Sequence, residues 1–221
     1  MKREIRQTAD GSHTIAIPDM NVTYHSHHGA LAESMHVFIE AGLQQVLLHF
    51  KENTIRVLEI GLGTGLNALL ALREAGNQQR SVHYTAIELF PLTNEEVTQL
   101  NHGELISLKE SFLQLHTAPW EKDVFISEHF TLQKLNRTAL DLGNILSIHC
   151  IFLDAFAPTD QPELWTDDFF GRLYELLTPG GILVTYCSKS SVRHSMQAVG
   201  FFVEKIPGPR GKREMLRAKK N

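Results

Sequence analysis

The chain has 221 residues, 21 Lys and Arg against 25 Asp and Glu, a net charge of −4 and 43% hydrophobic residues. That length suits one domain with a small appendage, and the composition excludes wholesale disorder, collagen and coiled coil. No apolar run approaches the roughly 18–20 residues of a membrane span, Met1-Lys2-Arg3-Glu4 leads into no signal-type apolar core, and 2 cysteines make no disulfide framework, so no membrane association and a reducing cytoplasm are expected.

Residues 1–24 read as a β-hairpin turning at Asp10-Gly11, with Pro18 and Asp19-Met20-Asn21 interrupting its second run. From Leu31 to Phe50 the apolar positions are 31, 35, 38, 39, 43, 46, 47 and 50, the spacing of a helix with one buried face. Residues 1–50 are therefore expected as a hairpin-and-helix extension ahead of a main domain over 51–221. That domain begins with a strand at Ile55–Ile60, a helix at Leu66–Ala75 ended by Gly76-Asn77, and a strand at Val82–Ile87. Helices follow at Asn94–Asn101 and Glu104–Leu115, then a strand at Phe130–Leu135 and a short helix near Thr138–Leu146. Ile148–Leu153 is a strand, Glu163–Leu177 a helix stopped by Thr178-Pro179-Gly180-Gly181, Ile182–Cys187 a strand and Ser190–Val199 a helix. Phe201–Ile206 and Glu214–Ala218 form a closing antiparallel pair around the Pro207–Arg213 loop.

Alternating strands and helices predict an α/β, Rossmann-like fold with a mostly parallel, seven-stranded sheet. Near-continuous apolar strands such as Ile148–Leu153 need burial on both faces. Ligands of such sheets bind beyond the carboxyl ends of the strands, so the residues just after each strand carry the chemistry.

After the first main-domain strand the chain reads Glu59-Ile60-Gly61-Leu62-Gly63-Thr64-Gly65-Leu66-Asn67. Glycines at alternate positions let the backbone turn sharply and a ligand approach, and the following helix offers free N–H groups. A dinucleotide fingerprint needs a further glycine where Leu66 stands. The G-x-G-x-G pattern behind an acid resembles motif I of S-adenosyl-L-methionine methyltransferases, whose cofactor has a cationic amino-acid end and no pyrophosphate. Glu88 ends the second strand at the distance where an acid takes ribose hydroxyls, a feature that nicotinamide enzymes share. Asp154 follows the buried Ile148–Leu153 strand and is the candidate catalytic residue. An alkylamine acceptor is mostly protonated near pH 7, and a carboxylate there can orient the nitrogen and take its proton. Phe156 either lines the pocket, stacks on a base or packs in the core.

These segments, with others, resemble the methyltransferase domain of the MnmC-type family, bifunctional proteins of tRNA 5-methylaminomethyl-2-thiouridine biosynthesis. The matching stretches include Tyr24-His25-Ser26, Gly29 and Glu33, Glu59–Asn67, Glu88-Leu89-Phe90-Pro91-Leu92 and Asp154-Ala155-Phe156-Ala157-Pro158. Pro179-Gly180-Gly181, Ser188 to Arg193, Ala198-Val199-Gly200-Phe201 and Gly211-Lys212-Arg213-Glu214-Met215-Leu216 continue them in the family's order. The resemblance implies S-adenosyl-L-methionine as cofactor, held by Glu59, Gly61, Leu62, Gly63, Thr64, Gly65, Asn67, Glu88, Leu89, Asp154 and Phe156. It implies methylation of the aminomethyl nitrogen of 5-aminomethyl-(2-thio)uridine at the tRNA wobble position. In the family a flavin-dependent oxidase domain acts first. The chain stops at Asn221, so a separate oxidase or another precursor-forming enzyme is expected to serve it. The family's Gly-Asp pair after the third strand is out of register in Leu135-Asn136-Arg137-Thr138, leaving Asn136 or Thr138 to stand in near the adenine.

Lys205, Arg210, Lys212, Arg213, Arg217, Lys219 and Lys220 face one acid, Glu214, so this tail carries about +6 and the rest about −10. Such a tail is either a solvated strand or a phosphate-binding strip. With the resemblance in hand, Arg210, Lys212 and Arg213 become candidate tRNA contacts, and Trp165 and Phe156 candidate stacking partners for a base splayed from the anticodon loop. His25-Ser26-His27-His28 has no Cys or acid at zinc spacing and reads as a solvated loop closing over the cofactor; no metal is expected. Cys150 and Cys187 read as small core residues. The competing functions are methylation of a small-molecule or protein amine, an NAD-type oxidoreductase and a non-enzymatic RNA-binding module.

Overall fold

The computed structural model describes residues 2–221 apart from Asn144 and Leu146. Its main sheet has eight strands: β4 (Thr54–Ile60), β5 (Ser81–Ile87), β6 (Asp123–Ser127), β7 (Phe130–Leu135), β8 (Ile148–Leu153), β9 (Leu177–Thr185), β10 (Phe202–Pro207) and β11 (Glu214–Lys219). They lie in the order β10-β11-β9-β8-β4-β5-β7-β6. Strands β9, β8, β4, β5 and β7 run parallel, while β10, β11 and β6 are antiparallel to their neighbours. The sheet thus has one strand more than the seven expected. The extra one, β6, is a half-exposed edge: Val124 and Ile126 lean inward while Phe125 is 79% exposed. A strand with only two anchored side chains leaves little apolar signature in the sequence.

Every residue of β8 is buried, as its near-continuous apolar run requires. Alternate side chains of the central strands feed two cores. Ile55, Val57, Tyr84 and Phe152 join a core with the helices of the first half of the chain. Leu58, Ile60, Ile151 and Leu153 join a second with the Asp167–Leu176 and Ser190–Ala198 helices. Fully burying each aliphatic or aromatic side chain contributes roughly 1.5–3 kcal/mol before entropy is counted. No helix forms over the described residues of 138–146; turns occupy 139–140 and 143, and the predicted element includes Asn144 and Leu146, outside the described residues.

Ahead of the main sheet, β1 (Glu4–Gln7) and β2 (His13–Ile17) form the expected hairpin, and Val22–Thr23 (β3) adds a third antiparallel strand. Asp10 organises the turn, accepting from Thr8 Oγ1 and Ser12 and, at 2.9 Å, from the Ala32 N–H of the next helix. That helix runs unbroken through Ala30–Ser34, Met35–Leu43 and Gln44–His49, with the middle stretch in the wider π form. The π winding buries Val37, Phe38 and Ile39 in succession, a broader face than a 3.6-residue stripe predicts. Phe38 packs on Phe152 of β8, ring centroids 5.3 Å apart.

Candidate active site

The chain leaves β4 for β5 on one side and returns to β8 on the other. The carboxyl ends of β4 and β8 therefore part at a topological switch point, where parallel sheets open a crevice. Two strand-end contacts set its floor: Gly61 N–H donates to Ile87 O at 3.0 Å, and Asp154 N–H to Ile60 O at 3.1 Å. The glycine turn is left-handed at Gly61, Gly63 and Gly65, with φ of +91°, +51° and +73°. A Cβ on Gly61 would stand 2.8 Å from the Asp154 carbonyl, so the loop can lie this close to β8 only without a side chain. The Leu66–Gln78 helix starts directly from the turn with no side-chain cap, which leaves its first-turn N–H groups free of a side-chain partner.

A cavity of about 710 Å³ opens over this floor. Gly61, Leu62, Gly63, Thr64, Asn67, Glu88, Leu89, Asp154 and Phe156 all line it, as does Lys212. Glu59 and Gly65 stand behind that first wall. Glu88 braces the glycine turn, Oε2 accepting from Gly63 N–H at 3.0 Å and Oε1 from Phe90 N–H at 2.8 Å. Each oxygen keeps acceptor capacity for a hydroxyl.

Asn67 joins the two inner acids. Its Nδ2 donates to Glu59 Oε1 at 2.9 Å and to Asp154 Oδ2 at 2.8 Å. Glu59 is fully buried, and burial, reinforced by the Asp154 charge, raises its carboxyl well above the usual range. Burial and then the Glu33 charge raise Asp154 to about 7, against opposing effects of the Asn67 hydrogen bond and the Lys212 charge. Asp154 therefore exchanges its proton near neutral pH, which suits a general base. Glu59 Oε2 and Asn67 Oδ1 are buried with no hydrogen-bond partner among the described residues. Buried acceptors without partners beside raised carboxyl groups call for a cation. The ammonium end of S-adenosyl-L-methionine has that charge, so the residues present fit this cofactor.

The other end of the cavity is aromatic and acidic. Tyr24 meets Phe156 edge to face at 5.4 Å. Tyr186 O–H donates to Ala155 O at 2.9 Å. Trp165 is buried behind the wall, its indole N–H donating to Phe156 O at 2.9 Å. It anchors the Asp154–Pro158 loop and presents no face to the cavity, which corrects its expected stacking role. Lys212 likewise turns inward: Nζ bonds Glu33 Oε1 at 2.6 Å and lies 4.1 Å from the centre of the Tyr186 ring. This differs from the free, outward cation expected of a phosphate contact. Arg210 and Arg213 are exposed, outside the cavity lining and in no ion pair among the described residues. Three other tail cations are neutralised or anchored, Lys205 by Glu214, Arg217 by Glu204 and Lys220 by Tyr174 O, so the basic edge is narrower than the residue count implies.

Two further expectations change. His27 and His28 are exposed, but His25 is buried and contacts the glycine loop, its Nε2 3.4 Å from Thr64 Oγ1. On the other side His116 Nε2 donates to Thr64 O at 3.1 Å. Burial lowers both rings to about 4, so neutral imidazoles hold the turn. Among the described residues no group of three or more His, Cys, Asp or Glu is arranged to hold a metal ion. Asn136 does not line the cavity; its Nδ2 donates to Glu88 O at 2.8 Å, while Thr138, with Arg137 and Ala139, does line it. Both cysteines are buried, and burial raises their thiols. Sequence reasoning named no site role for Glu33 or Tyr186. Tyr186 follows the end of β9 at Thr185, two residues earlier than the strand predicted to Cys187, so a correct strand end would have marked it, whereas Glu33 carries no local signal.

A glycine turn after β4, an acid after β5 and a raised acid after β8 define the site of a Rossmann-like methyltransferase. Residues 109–221 match the profile of a family described as S-adenosyl-L-methionine-dependent methyltransferase, and the chain belongs to that family. It is 31% identical over 214 residues to the tRNA 5-methylaminomethyl-2-thiouridine biosynthesis bifunctional protein MnmC of Leptospira borgpetersenii serovar Hardjo-bovis (strain JB197), covering 89% of this chain and 32% of that protein. It is 32% identical over 222 residues to the protein of the same name from Aeromonas salmonicida (strain A449), covering 90% and 32%. The chain thus spans about a third of the length of the curated relatives it matches. The crystal structure of MNMC2 from Aquifex aeolicus superposes with a TM-score of 0.76 at 27% identity, over 99% of this chain and 70% of that one. Spermidine synthase from Thermotoga maritima shares the fold, with a TM-score of 0.60 at 14% identity, over 99% and 69%.

Proposed function

We propose that the chain methylates the aminomethyl nitrogen of 5-aminomethyl-(2-thio)uridine at the wobble position of tRNA, giving 5-methylaminomethyl-(2-thio)uridine. The observation that carries this reading is Asp154, raised to about 7 at the cavity wall and bridged by Asn67 to Glu59. The relatives' printed name, which specifies this nucleoside, supports the choice of acceptor. When bound, S-adenosyl-L-methionine supplies a methyl group on a cationic sulfur, open to direct displacement. The chain's own residues do the rest. Glu88, the glycine turn, Glu59 and Asn67 seat the cofactor. Asp154 hydrogen-bonds the acceptor amine, takes its proton directly or through water, and leaves the nitrogen lone pair free to attack. Tyr24 and Phe156 wall the acceptor end. Residues 1–50 act as part of this catalytic body, because the Tyr24–His28 loop and Glu33 line the cavity.

Arg210 and Arg213 contact tRNA phosphates, giving affinity that weakens with salt and carries no sequence information. The acceptor requires a preceding enzyme that installs the aminomethyl group, such as a separate oxidase, and the reaction takes place in the cytoplasm, with tRNA. Labelled S-adenosyl-L-methionine and tRNA containing 5-aminomethyluridine test the proposal. Label should appear in 5-methylaminomethyluridine after nucleoside digestion. A folded, cofactor-binding protein that leaves this tRNA unlabelled would defeat it. Charge reversal at Arg210 and Arg213 should raise KM for tRNA; indifference would favour a small-molecule or protein amine as acceptor.

A further inference from the structure

The Glu33–Lys212 pair is unexplained by cofactor binding. Glu33 sits in the first turn of the Ala30–Ser34 helix with its side chain 8% exposed, and Lys212 comes from the β10–β11 loop. Their contact ties chain segments 179 residues apart. Glu33 Oε2 also accepts from Ser26 N–H at 2.8 Å, so one carboxylate holds the 24–28 loop and the hairpin loop together. The hairpin loop lies so close that a Cβ on Gly211, at φ +89°, would overlap the His28 ring. Lys212 Nζ rests on the ring of Tyr186, whose hydroxyl reaches the carbonyl of the residue after Asp154. An ammonium at the cavity wall is thus within one tyrosine of the carboxylate that the acceptor amine needs.

We propose that Glu33 is a positioning residue that holds the Lys212 ammonium away from Asp154, leaving that carboxylate free for an acceptor amine. The inference rests on the amine-methylation reading. Without Glu33 the lysine would pair with Asp154, block it and weaken it as a base. The groups around Asp154 are few: Glu59 and Tyr84 from β4 and β5, Glu88 after β5, Glu33 from the first helix, Tyr186 and Asp160 from the loops after β9 and β8, and Lys212. The Lys212 charge opposes the effects of burial and Glu33 on Asp154, so moving the ammonium toward the carboxylate shifts its titration.

The test is a cycle of Glu33→Gln, Lys212→Met and the double variant, read as kcat against pH with the tRNA acceptor. Glu33→Gln should lower kcat about tenfold or more, part of the roughly 10²–10⁴-fold that positioned proton transfer contributes, and shift the acid limb to lower pH. Lys212→Met should shift that limb to higher pH. The double variant should recover most of the activity lost in Glu33→Gln. A double variant no better than Glu33→Gln would overturn the proposal, and the shift of the acid limb in Lys212→Met separates it from a merely structural pair, whose loss leaves that limb in place. A second readout needs no turnover: carboxyl NMR of Asp154 in the cofactor-free protein should move down in Glu33→Gln and up in Lys212→Met, and unmoved titrations would overturn it. Wild-type protein inactive on this tRNA defeats the methylation reading instead, while the NMR result still judges the placement of Lys212. Finally, Lys212→Met should leave the salt slope of tRNA binding unchanged; a slope reduced by about 1 would make Lys212 a phosphate contact and refute its sequestration.

Discussion

Asp154→Asn should stabilise the protein, and increasingly so as pH rises. Asparagine keeps the shape and an oxygen for Asn67 Nδ2. In the wild type, burial and the Glu33 charge hold the carboxyl at about 7 against its ordinary 3.8. The unfolded chain therefore loses that proton soon above pH 3.8, and the native state only near 7. Between those values the native state binds more protons, so stability falls with rising pH and levels off above about 7. At about 1.36 kcal/mol per pH unit the whole shift costs about 4 kcal/mol, of which about 2.6 falls between pH 5 and 8. Asp154 keeps some contact with water in the open cavity, and screening lowers the expected difference to about 1–2.5 kcal/mol. Urea unfolding of both proteins at pH 5 and pH 8 measures it. The advantage of Asp154→Asn should grow by that amount toward pH 8, or roughly 2–10 °C in Tm for a chain of this size. A difference independent of pH, or one that shrinks toward pH 8, would refute the raised carboxyl and with it the general base.

Gly61→Ala forces a side chain into left-handed backbone and against the Asp154 carbonyl, and should cost about 1–3 kcal/mol and abolish cofactor binding measured by calorimetry. Unimpaired binding would mean that the turn does not shape the cofactor site. Glu88→Gln loses an acceptor bonded to Gly63 N–H and should weaken S-adenosyl-L-methionine by about tenfold while the melting temperature falls by only a few degrees. Equal affinity for both proteins would remove Glu88 from the cofactor contacts. Burial lowers His25 to about 4, His102 to about 3 and His116 to about 4. These rings protonate first in the unfolded chain, so the stability they allow is complete above about 6.5 and drains as pH falls toward 4. Neither ring nitrogen of His102 has a partner among the described residues, and His102→Leu should shift the acid-unfolding midpoint to lower pH. An unchanged midpoint by circular dichroism would show that His102 plays no part in acid unfolding.

Much of the architecture was legible because local chemistry and tertiary packing agree. The near-continuous apolar Ile148–Leu153 run reads as a strand buried on both faces, and Gly61-Leu62-Gly63-Thr64-Gly65 reads as a sharp turn into a helix, as the structure has them. Edge strand β6 escaped notice because two inward side chains leave a weak pattern, and the π winding at Met35–Leu43 arises from packing on β8 and β9 rather than from any residue signal. His25 looked solvated in a polar run, yet Thr14 and Thr64 provide buried partners from distant segments.

The order of residues along the chain by itself determined the parallel sheet, the cofactor turn and which acids stand at strand ends, because each depends on backbone conformation within a few residues. Only the folded molecule decided that Trp165 supports a loop from behind, that Lys212 faces Glu33 instead of solvent, and that Asp154 holds its proton to about 7. Those properties come from burial and from charges on strands, loops and helices remote in sequence, and electrostatic interaction acts through space with no regard to chain position.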